Sequence, residues 1–164
     1  MAASNVVMAW SQCSIEIGAV GEEGAMGLSL ASIGHIKDKS ATLEASEGEK
    51  LEMKATGGKT IAEEELEGEF VLKARVIEPD DAFYTTLGLG AVNELKYDVK
   101  THVVSGYRSV KLSPKNTGAT GIEAPKCSVK FHPGWSEEDG HFADMEFRIL
   151  QATADVWYTR FKKA

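Results

Sequence analysis

Four histidines and two cysteines are the side chains of this 164-residue sequence best suited to bind a transition metal. Cys127 and His132 are five residues apart and His141 follows nine residues later, but no Cys-x-x-Cys or His-x-x-x-His pair occurs. A β-strand through this region would direct Cys127 and His132 to opposite faces, because successive side chains alternate. The spacing favours buried thiols and scattered histidines, so we predict no metal and no other cofactor.

Patterns that accompany nucleophilic catalysis or dinucleotide binding are also missing from the sequence. No Gly-x-Ser-x-Gly elbow occurs, and neither cysteine has a histidine partner in a recognisable context. Residues 87–91 read Leu-Gly-Leu-Gly-Ala, but they would follow a helix rather than a strand, and the second half of the dinucleotide fingerprint is absent. We therefore predict a protein that is not an enzyme.

A run of glutamates is the most prominent charged feature. On a strand, Glu63, Glu65, Glu67 and Glu69 would line one face at intervals of ~6.6–6.8 Å. No turn residue curls this run into a cation-binding loop. Such a stripe indicates either a solvated face or an electrostatic task, such as facing a polyanion that must not stick or pairing with a neighbouring subunit.

The three tryptophans are the remaining candidates for ligand binding. Trp10, Trp135 and Trp157 lie in or beside predicted strands and could form a platform on which a sugar or a base stacks. Burial is the commoner outcome, because each tryptophan contributes ~150–250 Å² of buried area. No catalytic set emerges from these comparisons.

Composition excludes several classes of protein. The net charge of −7 opposes binding to phosphate backbones through bulk electrostatics. The longest apolar run, at 6–10, has five residues, whereas a membrane-spanning helix needs ~20, and no secretory signal pattern is evident near Met1. Two cysteines cannot build a disulfide framework, so we expect synthesis in a reducing cytoplasm.

Period-2 alternation predominates along the chain and predicts strands. Strand-like segments occur at 12–20, 40–45, 50–55, 95–103, 107–112, 124–132, 141–152 and 156–161. We expect 46–49 to join 40–45 and 50–55 in a hairpin, and 107–112 to pair with 95–103. Residues 80–87 are the best helix candidate, because Pro79 and the pair Asp80-Asp81 are typical of a helix start and glycines follow the segment.

Residues 60–77 can be interpreted in two ways. The sequence Ala-Glu-Glu-Glu-Leu at 62–66 consists of good helix formers, but a helical face would leave Leu72 and Val76 on the wrong side. Period-2 alternation groups the apolar residues opposite the charged ones, so we predict one long strand with one buried face. Together these elements predict a mainly β, antiparallel β-sandwich or small barrel with one short flanking helix, in a single domain over 1–164.

The order of features resembles that of the tail tube (major tail) proteins of long-tailed phages and related contractile machines. The resemblance rests on Ile-Gly-His-Ile-Lys-Asp-Lys at 33–39, Ala-Thr-Gly-Gly-Lys at 55–59, the acidic strand, the central helix, Glu-Ala-Pro-Lys-Cys at 123–127 and Met-Glu-Phe-Arg-Ile at 145–149. It covers most of the chain but not residues 1–11, which would form an N-terminal extension.

The resemblance implies a structural virion protein that is synthesised in the host cytoplasm and assembles into stacked, hexameric rings around a hollow tube. Its partners would be other copies of itself and other tail proteins, with DNA only in passage and no membrane. A projecting hairpin or loop at 38–59 would contact the next ring, and its tip supplies the ring-stacking candidates Glu47, Gly48, Glu49 and Lys50.

The glutamate stripe would then line the lumen, because acidic walls let DNA slide whereas basic walls would hold it. The lumen-facing candidates are Glu63, Glu65, Glu67 and Glu69. Lys73 and Arg75 share the predicted face, so the strand could instead lie at a charged subunit interface. Two other hypotheses remain: a monomeric β-barrel that binds a small apolar or carbohydrate ligand, and a metal-dependent enzyme that would purify with stoichiometric zinc.

Overall fold

The computed structural model describes residues 12–152 and 156–164, so the predicted extension at 1–11 and Trp10 lie outside the described residues. Most of the described chain is β-strand. The strands are, in chain order, β1 (Cys13–Ala19), β2 (Ala31–Ser32), β3 (His35–Ile36), β4 (Thr42–Ala45), β5 (Lys50–Lys54), β6 (Thr60–Glu65), β7 (Phe70–Ile77), β8 (Gly90–Asn93), β9 (Lys96–Val99), β10 (Val103–Pro114), β11 (Thr120–Ser136), β12 (Gly140–Ile149) and β13 (Thr159–Lys162). A short helix, α1 (Asp81–Thr86), follows β7, and a 3-10 turn (Glu22–Gly24) follows β1.

Nine strands form one antiparallel sheet in the order β2-β1-β10-β11-β12-β7-β3, with β13 paired to β11 and β4 paired to β7. Two further antiparallel pairs are β5 with β6 and β8 with β9. The predicted fold class, mainly β and antiparallel with one short helix, is confirmed. Residues 31–36 supply both ends of this order, because β2 pairs with β1 and β3 pairs with β7. The sheet formed by the described strands does not close into a barrel.

Strict alternation along the central strands builds the core of the sheet. One face of each strand is buried and the other is polar, as expected for an antiparallel sheet with one covered face. The buried side chains of β7, β11 and β12 include Leu72, Ala74, Val76, Val129, Phe131, Ala143, Met145, Phe147 and Ile149. The covered face of the sheet is therefore a packed apolar core.

Helix α1 begins where the sequence predicts, because Asp80 caps it. The Asp80 carboxylate accepts a hydrogen bond of 2.8 Å from the Phe83 backbone N–H, which satisfies one of the otherwise free donors of the first turn. Phe83 and Tyr84 are buried against Phe131. The Tyr84 hydroxyl also bonds to the His141 ring, so the helix is fixed to the beginning of β12.

The β4–β7 region forms one long hairpin, and two predictions about it are wrong. In every cross-strand pair from Thr42 opposite Lys73 to Met53 opposite Ala62 the two residue numbers add up to 115, so a single antiparallel register runs through both strand pairs. The segment 40–45 therefore pairs with β7 rather than with 50–55. The predicted strand at 60–77 is divided into β6 and β7. Between these two strands, the two sides of the hairpin approach each other closely and cross.

Glycines at the crossing explain the break in the strand. Gly48 and Gly68 lie so close to the opposing chain that an added Cβ would overlap the Leu66 carbonyl or the Ser46 carbonyl, respectively. Glycine is the residue that permits such close backbone approach. The alternation of 60–77 did not reveal this crossing, because the segment that Gly68 approaches lies outside it.

The pairing predicted between 95–103 and 107–112 is also wrong. Residues Lys96–Val99 instead fold back on Gly90–Asn93 as the β8–β9 hairpin. Gly90 permits this pairing, since an added Cβ there would overlap the Asp98 carbonyl. Strand β10 pairs with β1 and β11. The local alternation of 95–103 is therefore compatible with a strand but does not specify which strand it pairs with.

Candidate assembly surface

Residues 46–69 form a hairpin, here called the arm, that extends from the main sheet at the Gly48–Gly68 crossing. Every residue of β5 and β6 is exposed. The turn at the far end contains Gly57 (φ +92°) and Gly58 (φ +85°), a left-handed conformation that glycine adopts readily. The arm therefore contributes little buried area to the fold of its own subunit.

The two faces of the arm differ in chemistry. On one face Lys50 lies between Glu52, at 3.5 Å, and Glu63, and Lys54 lies 3.5 Å from Glu52. These exposed pairs solubilise the face and add little stability. This face of the arm is therefore compatible with exposure to solvent.

The opposite face of the arm is largely apolar. Cross-strand pairing places Leu51 opposite Glu64 and Met53 opposite Ala62, and the side chains of Leu51 and Met53 are 45% and 61% exposed. Ile61, at the bulge in the ladder, is 60% exposed. Apolar side chains grouped on one exposed face are a feature that contact surfaces share.

The four predicted lumen residues do not form one stripe on one strand. Glu63 and Glu65 lie on β6, Glu67 lies at the crossing, and Glu69 at the base pairs with Arg148. Their role in a lumen remains a prediction. Lys73 and Arg75 do not continue the strand that carries Glu63 and Glu65, because both belong to β7 in the main sheet.

The ring-stacking candidates are also placed differently from the expectation. Glu47, Gly48 and Glu49 lie at the crossing and Lys50 begins β5, whereas the tip of the arm is 55–59. The predicted projecting segment, 38–59, includes β4, which belongs to the main sheet. The projecting segment in the structure is therefore 46–69.

The base of the arm is held by hydrogen bonds and an ion pair. The Ser46 backbone N–H donates to the Glu69 carbonyl at 2.8 Å, and the Glu69 N–H donates to Ser46 Oγ at 3.0 Å. The Glu69 carboxylate accepts from Arg148 on β12. The direction in which the arm leaves the sheet is therefore set by specific contacts.

An ion-pair network joins the residue after β3 to β7, to β12 and to the turn before β12. Asp139, whose side chain is 8% exposed, accepts from Lys37 Nζ at 2.9 Å and from Arg75 Nη1 at 3.0 Å. Arg75 also bonds Asp144 through two nitrogens, at 2.7 and 3.1 Å. The hydrogen bond from Lys37, assisted by that from Arg75, lowers the pKa of Asp139 against the opposing effect of burial.

The lowered pKa predicts an acid-dependent contribution to stability. A carboxylate with a lowered folded-state pKa stabilises the fold above its unfolded pKa of ~4, and that contribution is lost as the pH falls through the folded value. We expect Asp139→Asn to be less stable than the wild type at pH 7 and to approach it at about pH 2–3. Thermal unfolding followed by circular dichroism across pH measures the difference. Asp38→Asn, at an exposed position, is the control, and a constant gap between Asp139→Asn and the wild type at all pH values would contradict the prediction.

The candidate metal ligands Cys127 and His132 are not brought together. Cys127 is fully buried, which raises the pKa of its thiol to about 12, whereas His132 is exposed on the other face of β11. The predicted opposite orientation of these two side chains is confirmed. Within residues 12–152 and 156–164, no group of three or more histidine, cysteine, aspartate or glutamate side chains could hold a metal ion.

The tryptophans of the described chain do not form a stacking platform. Trp157 packs edge-on against Phe70, with ring centroids 5.6 Å apart, and Phe70 pairs with Ile149 at one end of β12. Trp135, 71% exposed, pairs with His141 near the other end of β12.

A surface pocket of about 540 Å³ is bordered by Cys13, His35 and Lys37.

No protein-family model and no curated protein sequence matches this chain. Among the residues that the structure describes, no helix has the length and apolar character needed to cross a bilayer.

Proposed function

We propose that this protein is a structural subunit that assembles with copies of itself, and that the assembly is the tube of a phage tail. The observation that carries the proposal is the arm, which extends from the sheet with one apolar face exposed and one face covered by ion pairs. A monomer gains little from such an element, whereas an assembly buries the apolar face. The tail tube as the particular assembly is supported by the resemblance in feature order.

A second exposed apolar surface supports contacts of the head-to-tail type. On and beside the β8–β9 hairpin, Val92, Leu95, Val99 and Val103 are 55–103% exposed. This surface differs from the arm, so one copy can present the arm while its neighbour presents another surface. Repetition of a contact between different surfaces generates closed rings or open filaments. In this proposal, stacked rings form the hollow tube through which DNA passes.

The charge of the arm is compatible with this function. It contains eight glutamates and three lysines, a net charge of −5. An acidic surface facing the bore would not retain DNA by counterion release. In this proposal the glutamates Glu63, Glu65, Glu67 and Glu69 contribute to that acidic character, and no catalytic step is involved.

The proposal predicts that the apolar face of the arm is required for assembly. Leu51→Ser/Met53→Ser is expected to fold with nearly unchanged stability, because both side chains are exposed in the subunit, but to remain monomeric at concentrations where the wild type assembles. Sedimentation velocity over a concentration series measures the assembly, and thermal unfolding measures the stability. Leu28→Ser, which changes a fully exposed leucine outside the arm, is the matched control and should assemble normally. Equal assembly of the arm variant and the wild type would contradict the proposal.

A further inference from the structure

We infer that the arm of one copy docks on a basic surface of a second copy, formed by the beginning of β10 and the adjacent part of β11. This inference rests on the proposed self-assembly and names the accepting surface. We call that surface the basic platform. It consists of Val103, Tyr107, Lys126 and Lys130, which share the outer face of the two strands.

The distribution of charge along the chain is the first argument. Residues 46–69 have a net charge of −5, whereas residues 103–132 and 156–164 contain eight lysines and arginines and one glutamate, a net charge of +7. These cationic residues belong to β10, β11, β13 and the adjoining loops, and the three strands are neighbours in the sheet. Each subunit therefore has an acidic arm and a separate basic region.

The basic platform combines apolar and cationic side chains. Val103 and Tyr107 are 65% and 49% exposed, and the Lys126 ammonium lies 4.6 Å from the centre of the Tyr107 ring. Lys130 is paired with Val103 across the two strands. The platform is thus a short apolar strip with lysines beside it.

The arm presents the complementary arrangement. Leu51 and Met53 form a short apolar strip, and Glu64 lies directly across from Leu51. Glu64 forms no ion pair with any described residue, whereas Glu65 lies across from Lys50 on the ion-pair face. An apolar strip with a free carboxylate beside it matches an apolar strip with lysines beside it, and such complementarity steers association and fixes the register of a contact.

The strand edge at the platform is also available. Pairing between β1 and β10 ends at Ala19 opposite Arg108, so residues 103–107 of β10 have β11 on one side and no paired strand of the described chain on the other. Among the described residues, no ion pair links the arm to the platform within the subunit. A second copy can therefore occupy the platform without displacing an existing strand or ion pair.

Charge reversal on each surface tests the inference. We expect Glu64→Lys and, separately, Lys126→Glu/Lys130→Glu to raise the concentration needed for assembly at least about tenfold, because each variant places like charges opposite one another. An equimolar mixture of the two variants should assemble, since opposite charges face each other at every contact when the two variants alternate. Circular dichroism verifies that each variant folds.

Glu22→Lys/Glu23→Lys, at exposed glutamates in the turn after β1, is the matched control and should assemble like the wild type. Normal assembly of either surface variant, or failure of the mixture, would overturn the inference while leaving self-assembly intact. Normal assembly of Lys126→Glu/Lys130→Glu combined with lost binding of labelled duplex DNA would instead assign the platform to a polyanion. A wild type that never assembles would refute the proposed function itself.

Discussion

A chain in which residues 48–67 are replaced by Asn-Gly is expected to fold and to remain monomeric at every concentration. The register supports this design, because Ser46 pairs with Glu69 and the next pair, Glu47 with Gly68, can be joined by a two-residue turn. Asn-Gly is the sequence preferred for such a turn. The excised residues are mostly exposed, so the melting temperature should change by only a few degrees.

The same shortened chain should also inhibit the wild type. It retains the accepting surface but has no arm to offer, so it would end a growing head-to-tail assembly. Light scattering of wild-type protein with increasing amounts of the shortened chain measures this inhibition. Assembly of the shortened chain by itself, or a mixture that assembles as if the shortened chain were absent, would contradict the role given to the arm.

Phe131→Ala is expected to destabilise the fold more than any of the surface substitutions proposed above. Phe131 is 1% exposed and packs against Phe83 and Tyr84, with ring centroids 6.3 and 5.2 Å away. Its removal leaves a cavity between β11 and α1, for which the expected cost is about 3–5 kcal/mol. In a protein of this size the melting temperature should fall by roughly 10 °C or more.

Thermal and urea unfolding measure the effect of Phe131→Ala. Leu95→Ala is the control, because that leucine is fully exposed at the tip of the β8–β9 hairpin and its removal leaves no cavity. Phe131→Leu should cost less than Phe131→Ala, since it keeps most of the buried volume. A loss below about 1 kcal/mol for Phe131→Ala would show that the α1–β11 contact is not part of the stable core.

Local patterns predicted those parts of the fold that depend on local physics. Ile15 and Ile17 alternate with polar residues and are both buried on β1. Asp80 precedes the short helical segment and caps α1, and Gly88, with φ +72°, follows the helix. Alternation and capping act over a few residues, so the sequence shows them directly.

The pairing of the strands and the position of the arm depend on contacts between residues that are distant in sequence. The segment 40–45 alternates in a way that fits several partners, and its pairing with β7 is fixed by the register of the whole 42–77 hairpin. The exposure of Leu51 and Met53 could not be predicted either, because alternation does not distinguish an apolar face that is buried in the subunit from one that is exposed. The paired glycines at 48 and 68 were the available signal for the crossing.

Negative-stain electron microscopy of the concentrated, purified protein tests the central claim most directly. If the exposed face of the arm exists to bind another copy, the images should contain rings or tubes of uniform diameter, and their number should increase with concentration. Fields of isolated particles of single-subunit size at every concentration would contradict the claim.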